Sequence, residues 1–279
     1  MTYRQLLSSS HPGYLILLVD QSASMTEPFA NGRKKADECA KAVNRVLREL
    51  GLACTEGDTI HNRCDVSVIG YGRRGVDVNN AFSGMLGQKP AIAIQDLVTN
   101  VMRIETLRRW SADGDGGTVE IDEAYPIWID PVAGGSTPMA LAFEQATQLV
   151  QVWTLEHPAS FPPIVINITD GEPNDPQATH TAVQALRETG TDDGHTLIFN
   201  IHISSLQATP VALPDAAQAL PDGYGRFLFE LSSPLPTVMV ERAHVLGLLP
   251  TPQSKGMVYN ADADTMIRLL DVGARSHFA

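Results

Sequence analysis

The chain has 279 residues, 43% hydrophobic, 19% charged and 6% aromatic, which excludes disordered and fibrous classes and leaves room for a large buried core. Thirty-two Asp and Glu against 20 Lys and Arg give a formal net charge of −12, a balance that repels nucleic-acid phosphates and anionic lipid. Neither nucleic acid nor a membrane is therefore an expected partner.

The first apolar run, Tyr14 to Val19, is strand-length and too short for a signal or membrane helix, so the cytoplasm is the expected compartment. Ala36, Ala40, Val43, Leu47 and Leu50 then recur at three or four residues and predict an amphipathic helix. Cys39, Cys54 and Cys64 are odd in number and lack Cys-x-x-Cys spacing, which predicts reduced, partly buried thiols. Asp65 to Tyr71 reads as a second strand.

From about residue 85 to 131 the pattern becomes irregular and predicts an insertion in a single domain spanning 1–279. Ile94, Leu97, Val98 and Val101 suit a short helix, and Met102 to Trp110 with Thr118 to Ile129 flank the glycine-rich turn Asp113 to Gly117. A projecting β-hairpin follows from that spacing. Asp113, Asp115 and Glu120 do not complete a calcium loop, because the glycine and the closing glutamate are missing. Trp110 and Trp128 lie on this hairpin and, if exposed, would suit a binding surface.

Met139, Ala142, Ala146, Leu149 and Trp153 predict another helix, with Ser136-Thr137-Pro138 as its start signal; Asp175-Pro176 marks a further one. Ile164 to Thr169, Leu197 to Ser204 and Phe227 to Leu231 read as strands. Met257 to Tyr259 and Ala263 to Val272 read as a last strand and helix, with Asn260 or Asp262 as cap. Strands without alternation, interleaved with helices, indicate an α/β fold whose sheet is covered on both faces.

Two strands end in polar clusters. The first runs into Asp20-Gln21-Ser22-Ala23-Ser24, and Ile164 to Thr169 runs into Asp170-Gly171-Glu172. Gly134-Gly135-Ser136-Thr137-Pro138 supplies a further hydroxyl between them in the chain. If the two strands are neighbours, all three segments meet at one end of the sheet and offer hard oxygen donors.

The order Asp20-x-Ser22-x-Ser24, Thr137, Asp170-Gly171 resembles the metal-ion-dependent adhesion site of the von Willebrand factor A (VWA) family. The resemblance covers most of the chain and relaxes at Ala23, where many relatives have glycine. It is most similar to stand-alone bacterial members, including those associated with tellurite resistance. It implies a Rossmann-like fold: a central, mostly parallel sheet with one antiparallel edge strand, helices on both faces, and a divalent cation at the upper rim. On this resemblance Asp20, Ser22, Ser24, Thr137 and Asp170 form the site for magnesium, or manganese or calcium, with Ser22 and Ser24 as direct hydroxyl ligands, Thr137 direct or water-linked, and Asp20 and Asp170 acting mainly through bound water, while Gln21, Ser136 and Glu172 flank a partner. The implied partner is another protein, whose Asp or Glu completes the coordination, and the implied role is a non-enzymatic adaptor or regulator in a bacterial multi-protein system.

The same residues have plainer readings: Ser22 and Ser24 as turn formers, Thr137 as a helix cap, Asp170 as a turn former before Gly171, and Glu172 and Asp175 as helix-start charges. The competing enzymatic reading is a magnesium-dependent phosphatase of the haloacid-dehalogenase class with Asp20 as nucleophile. That chemistry wants a carboxylic acid two residues on, where this chain has Ser22. The eight histidines lack paired ligand spacing, and His202, inside an apolar strand, reads as a core residue.

Overall fold

The computed structural model describes residues 3–29, 32–112, 118–204 and 209–275. The first half contains β1 (Gly13–Asp20), α1 (Lys35–Ala53), β2 (Cys64–Tyr71), β3 (Val78–Asn80), α2 (Ile94–Thr99), β4 (Arg103–Ala112) and β5 (Thr118–Ile127). The second contains α3 (Met139–Glu156), β6 (Ile164–Thr169), α4 (Pro176–Arg187), β7 (Leu197–Ile203), α5 (Gly223–Leu231), α6 (Thr237–Val245), β8 (Met257–Ala261) and α7 (Ala263–Arg275).

The central sheet runs β3-β2-β1-β6-β7-β8. From β2 through β8 every neighbouring pair is parallel, and β3 is the expected antiparallel edge. Two-residue segments add short antiparallel pairs, Ile92–Ala93 on β2 and Val211–Ala212 on β8. In β1, Leu15, Leu17 and Val19 pack with Val43 and Leu47 of α1 and Leu269 of α7, while Tyr14, Ile16 and Leu18 pack with Phe143 of α3 and Val183 of α4. Both faces of the strand are buried, which is why its sequence shows no alternation. The mostly parallel α/β architecture implied by the resemblance is the one observed.

A chain of polar side chains crosses this core. Tyr71 donates to Asn167 Oδ1 at 2.8 Å, Asn167 Nδ2 to Asn200 Oδ1 at 3.1 Å, and Asn200 Nδ2 to Ser232 Oγ at 3.0 Å. The first link reaches across β1 and the other two join neighbouring elements, so the buried amides have partners only when β2, β6, β7 and the end of α5 are correctly placed.

Phe227 to Leu231 is not a strand but the second half of α5. Asp222 caps this helix by accepting from Gly225 N–H at 2.7 Å, and its buried Leu228 and Leu231 are three residues apart, a helical spacing. A five-residue apolar run cannot separate the two states by itself. Asp175 caps α4 by accepting from Ala178 N–H at 2.9 Å. Asp262, rather than Asn260, caps α7 by accepting from Thr265 N–H at 2.7 Å. α3 starts directly after Pro138 without a side-chain cap.

β4 and β5 form a separate two-stranded antiparallel ladder from Arg103↔Ile127 to Ala112↔Thr118. The expected turn at 113–117 lies outside the described residues. Asn44 of α1 anchors the base of this hairpin: its Nδ2 donates to the Ile129 carbonyl at 2.9 Å and its Oδ1 accepts from Trp128 N–H at 2.8 Å. Trp128 is buried, with Nε1 donating to the Leu97 carbonyl at 2.8 Å, so it is a core residue and not part of an exposed binding surface. The Trp110 side chain lies outside the described residues. All three cysteines are free and buried.

Candidate metal centre

β1 pairs with β2 on one side and β6 on the other, so the winding direction reverses between β1 and β6. Loops leaving the two strands diverge there, which opens a crevice at their carboxyl ends. Asp20 is the last residue of β1 and Asp170 follows β6. The third segment is sewn against the first: Ala23 N–H donates to the Gly135 carbonyl at 2.8 Å and Gly134 N–H to the Gln21 carbonyl at 2.8 Å. This approach requires glycine at Gly72, whose φ is +88° and where a Cβ would meet the Ser136 carbonyl oxygen at 2.0 Å.

The oxygen atoms form a connected cluster. Ser22 Oγ and Ser24 Oγ are 3.0 Å apart, and Ser24 Oγ donates to Asp170 Oδ1 at 2.7 Å. Asp20 is fully buried; its Oδ1 accepts from Ser22 N–H at 2.8 Å and its Oδ2 from the Thr169 hydroxyl at 2.8 Å. Burial pushes the Asp20 carboxyl up to about 6, against the bonds from Ser22 and Thr169, with the charge of Asp170 adding to the rise. Thr137 is buried, and its loop is locked to the Asp170 loop through Asn174: Thr137 N–H donates to Asn174 Oδ1 and Asn174 N–H to the Thr137 carbonyl, both at 3.0 Å.

The three flanking residues separate. Glu172 is exposed beside Asp170. The Ser136 hydroxyl donates to the Gly75 carbonyl at 2.6 Å and accepts from Asn174 Nδ2 at 3.1 Å, so it holds the loop together. Gln21 is 5% exposed and lies over Gly70, which removes it from a surface that a partner could touch. Its side chain points inward beside β2 because Gln21 continues β1, with its N–H donating to the Tyr71 carbonyl at 2.8 Å.

Two residues at the site escape sequence reasoning. Lys35, the first residue of α1, sends Nζ to within 2.8 Å of Asp170 Oδ2 and 2.9 Å of Glu27 Oε2. Burial works to lower its pKa, but the bonds from Asp170 and Glu27 outweigh that and leave it raised. Its signal in the chain is positional: Lys35, Cys39, Ala42 and Val46 continue one helical stripe that is otherwise apolar. Tyr224 of α5 donates to the Gly171 carbonyl and braces the Asp170 loop from the other side. Nearby, His202 is buried and stacked on Tyr259, with Nδ1 accepting from Asn260 N–H at 3.2 Å; burial pulls its pKa down to about 4.

Among the described residues no group of three or more His, Cys, Asp or Glu side chains is placed to hold a metal ion. The donors here are instead two carboxylates and hydroxyls, the hard-oxygen chemistry of magnesium and manganese. Adjacent oxygens around an octahedral ion with bonds of about 2.0–2.1 Å lie about 3 Å apart. The Ser22 to Ser24 and Ser24 to Asp170 spacings of 3.0 and 2.7 Å fit that requirement.

No protein-family model matches the chain, and a search of the curated proteins gives no match. Solved structures do resemble it. A three-domain fragment of the type V pili tip protein Mfa5 from Porphyromonas gingivalis aligns over 58% of this chain at 9% identity with a TM-score of 0.33; the alignment covers 20% of that chain, so this protein spans about a fifth of its length. Manganese-loaded TRAP protein from Plasmodium vivax aligns over 93% of this chain and 72% of its own, at 14% identity and a TM-score of 0.41. The PilB minor pilin from Streptococcus sanguinis aligns over 94% of this chain and 60% of its own, at 8% identity and a TM-score of 0.44. Among the described residues no helix is long and apolar enough to cross a membrane.

Proposed function

We propose that this protein is a metal-dependent protein-interaction module of the VWA type, acting as an adaptor that binds an acidic side chain of a partner protein through a divalent cation. The observation that carries this reading is the convergence of Ser22, Ser24 and Asp170 within 3.0 Å links at the switch point of the sheet. Ser22, Ser24 and Asp170 would hold magnesium or manganese, with Thr137 on the adjoining loop and Asp20 orienting the Ser22 segment from below. When bound, the cation supplies an open coordination position and residual positive charge for a carboxylate. The chain's own part is to keep the hydroxyls spaced: Asn174 ties the Thr137 loop to the Asp170 loop, and Gly135 ties it to Ala23.

Non-enzymatic action is part of the proposal. Asp20 has both carboxylate oxygens occupied by Ser22 N–H and the Thr169 hydroxyl and is fully buried, which supports a positioning role over a nucleophilic one. Affinity capture from lysate, with magnesium and with chelator, tests the reading. A partner retained with magnesium, released by chelator and lost in Ser24→Ala is the expected result. Capture indifferent to chelator would remove the cation from the interface, and phosphomonoester turnover lost in Asp20→Asn would reinstate the phosphatase.

A further inference from the structure

Lys35 is 4% exposed at the start of a helix, and the Asp170 side chain it contacts is fully buried. Lysine is among the residues least often buried, and a helix N-terminus repels cations. Both disadvantages fall on one residue, and the side chains that hold it there are Asp170 and Glu27. Asp170 is thereby divided: Oδ1 accepts from Ser24 Oγ, in the hydroxyl pair of the candidate metal centre, and Oδ2 accepts from the ammonium.

We infer that Lys35 is a built-in counter-cation that competes with the divalent ion for Asp170 and sets the site's affinity for metal. The inference rests on the metal-dependent reading of the site and adds its regulation. Without metal, the ammonium neutralises a carboxylate that would otherwise be buried with no cation beside it. With metal, two cations address one carboxylate in a setting poor in water, where like charges repel strongly. Glu27, whose side chain is 57% exposed, gives the ammonium a second carboxylate to keep when Asp170 turns toward the metal. Loading is thus tuned to high cation concentration, and the metal-free protein stays folded.

The substitution Lys35→Met separates this from a purely structural lysine, because two quantities must move in opposite directions. Manganese titration of the full chain by calorimetry is expected to show binding at least tenfold tighter than wild type, about 1.4 kcal/mol, while the melting temperature in chelator falls. Lys35→Gln, which keeps polarity without charge, should likewise bind manganese more tightly and melt lower in chelator, and decides the matter if Lys35→Met gives no cooperative melt. Lys35→Arg, which keeps the charge, should bind manganese no more tightly than wild type. Unchanged or weaker manganese binding in the folded neutral variants, or tighter binding in Lys35→Arg, overturns the inference and leaves the metal reading standing. If neither wild type nor variants bind manganese at millimolar concentration, the metal reading fails and the inference fails with it.

Discussion

Ser24 Oγ donates to Asp170 Oδ1 at 2.7 Å, a bond between residues 146 positions apart. It links the loops that follow the first strand and its β6 neighbour and puts a hydroxyl and a carboxylate where one ion would reach both. A ligand that binds only the folded form at about a hundred times its dissociation constant contributes about 2.7 kcal/mol. Magnesium or manganese should therefore raise the melting temperature over chelator, and Asp20→Ala should lose that gain. Differential scanning calorimetry of both proteins checks this; identical midpoints with metal and chelator in the wild type would contradict it.

Thr137→Ala removes a hydroxyl but leaves the backbone bonds to Asn174 in place. In chelator the variant should unfold within about 1 kcal/mol of wild type, the centre of the range for point substitutions, because the backbone bonds that hold the loop remain. Its metal-induced stabilisation should shrink. Urea unfolding with and without magnesium separates the two effects, and a full gain in the variant would show that the hydroxyl has no part in the site.

Asn44→Ala strips the partners from the buried Ile129 carbonyl and the N–H groups of Trp128 and Ile129 at the hairpin base. Each buried backbone group left unsatisfied costs about 1–3 kcal/mol. A loss of at least about 3 kcal/mol in urea unfolding is the expected outcome. A loss below about 1 kcal/mol would mean that water replaces the amide and that the anchor is weak.

His202 has a pH signature of known sign. Its pKa is pulled by burial from an ordinary 6.5 to about 4, so between those values the unfolded chain binds the extra proton and the folded chain does not. Its contribution is present above pH 6.5 and is lost as pH falls toward 4, up to about 3 kcal/mol. Asp20, raised to about 6, acts in the opposite sense, favouring the fold as pH drops through that value toward 3.8. The comparison that isolates the imidazole is therefore wild type against His202→Gln. Stability should fall less with acid in the variant, and parallel curves from pH 7 to about 4.5 would refute the assignment.

The sheet and its covering helices are legible in the sequence because burial on both faces leaves unbroken apolar runs such as Tyr14 to Val19, and because Ala36, Val43 and Leu47 repeat with a helical period. That Asp20, Ser22, Ser24 and Asp170 meet at one end of the sheet is legible because each follows or ends a buried strand, β1 or β6, and the two strands are neighbours. Phe227 to Leu231 is misread as a strand because a short apolar run carries no period, and its deciding feature, the Asp222 cap, lies five residues upstream of that run. Lys35 stays hidden for another reason. A lysine is read as solvated unless a buried carboxylate claims it, and Asp170 is 135 residues away along the chain.

Among the described residues the hairpin of β4 and β5 shares no ladder with the central sheet. Its strands can be lengthened or trimmed by one cross-strand pair at a time, moving the far end by about 3.4 Å per step, without disturbing the register of any core strand. The length of this arm is thus a dimension that natural variation or engineering could adjust independently of the residues that gather around Asp170, which touch α1 at its first residue, Lys35, while the hairpin base is held at Asn44.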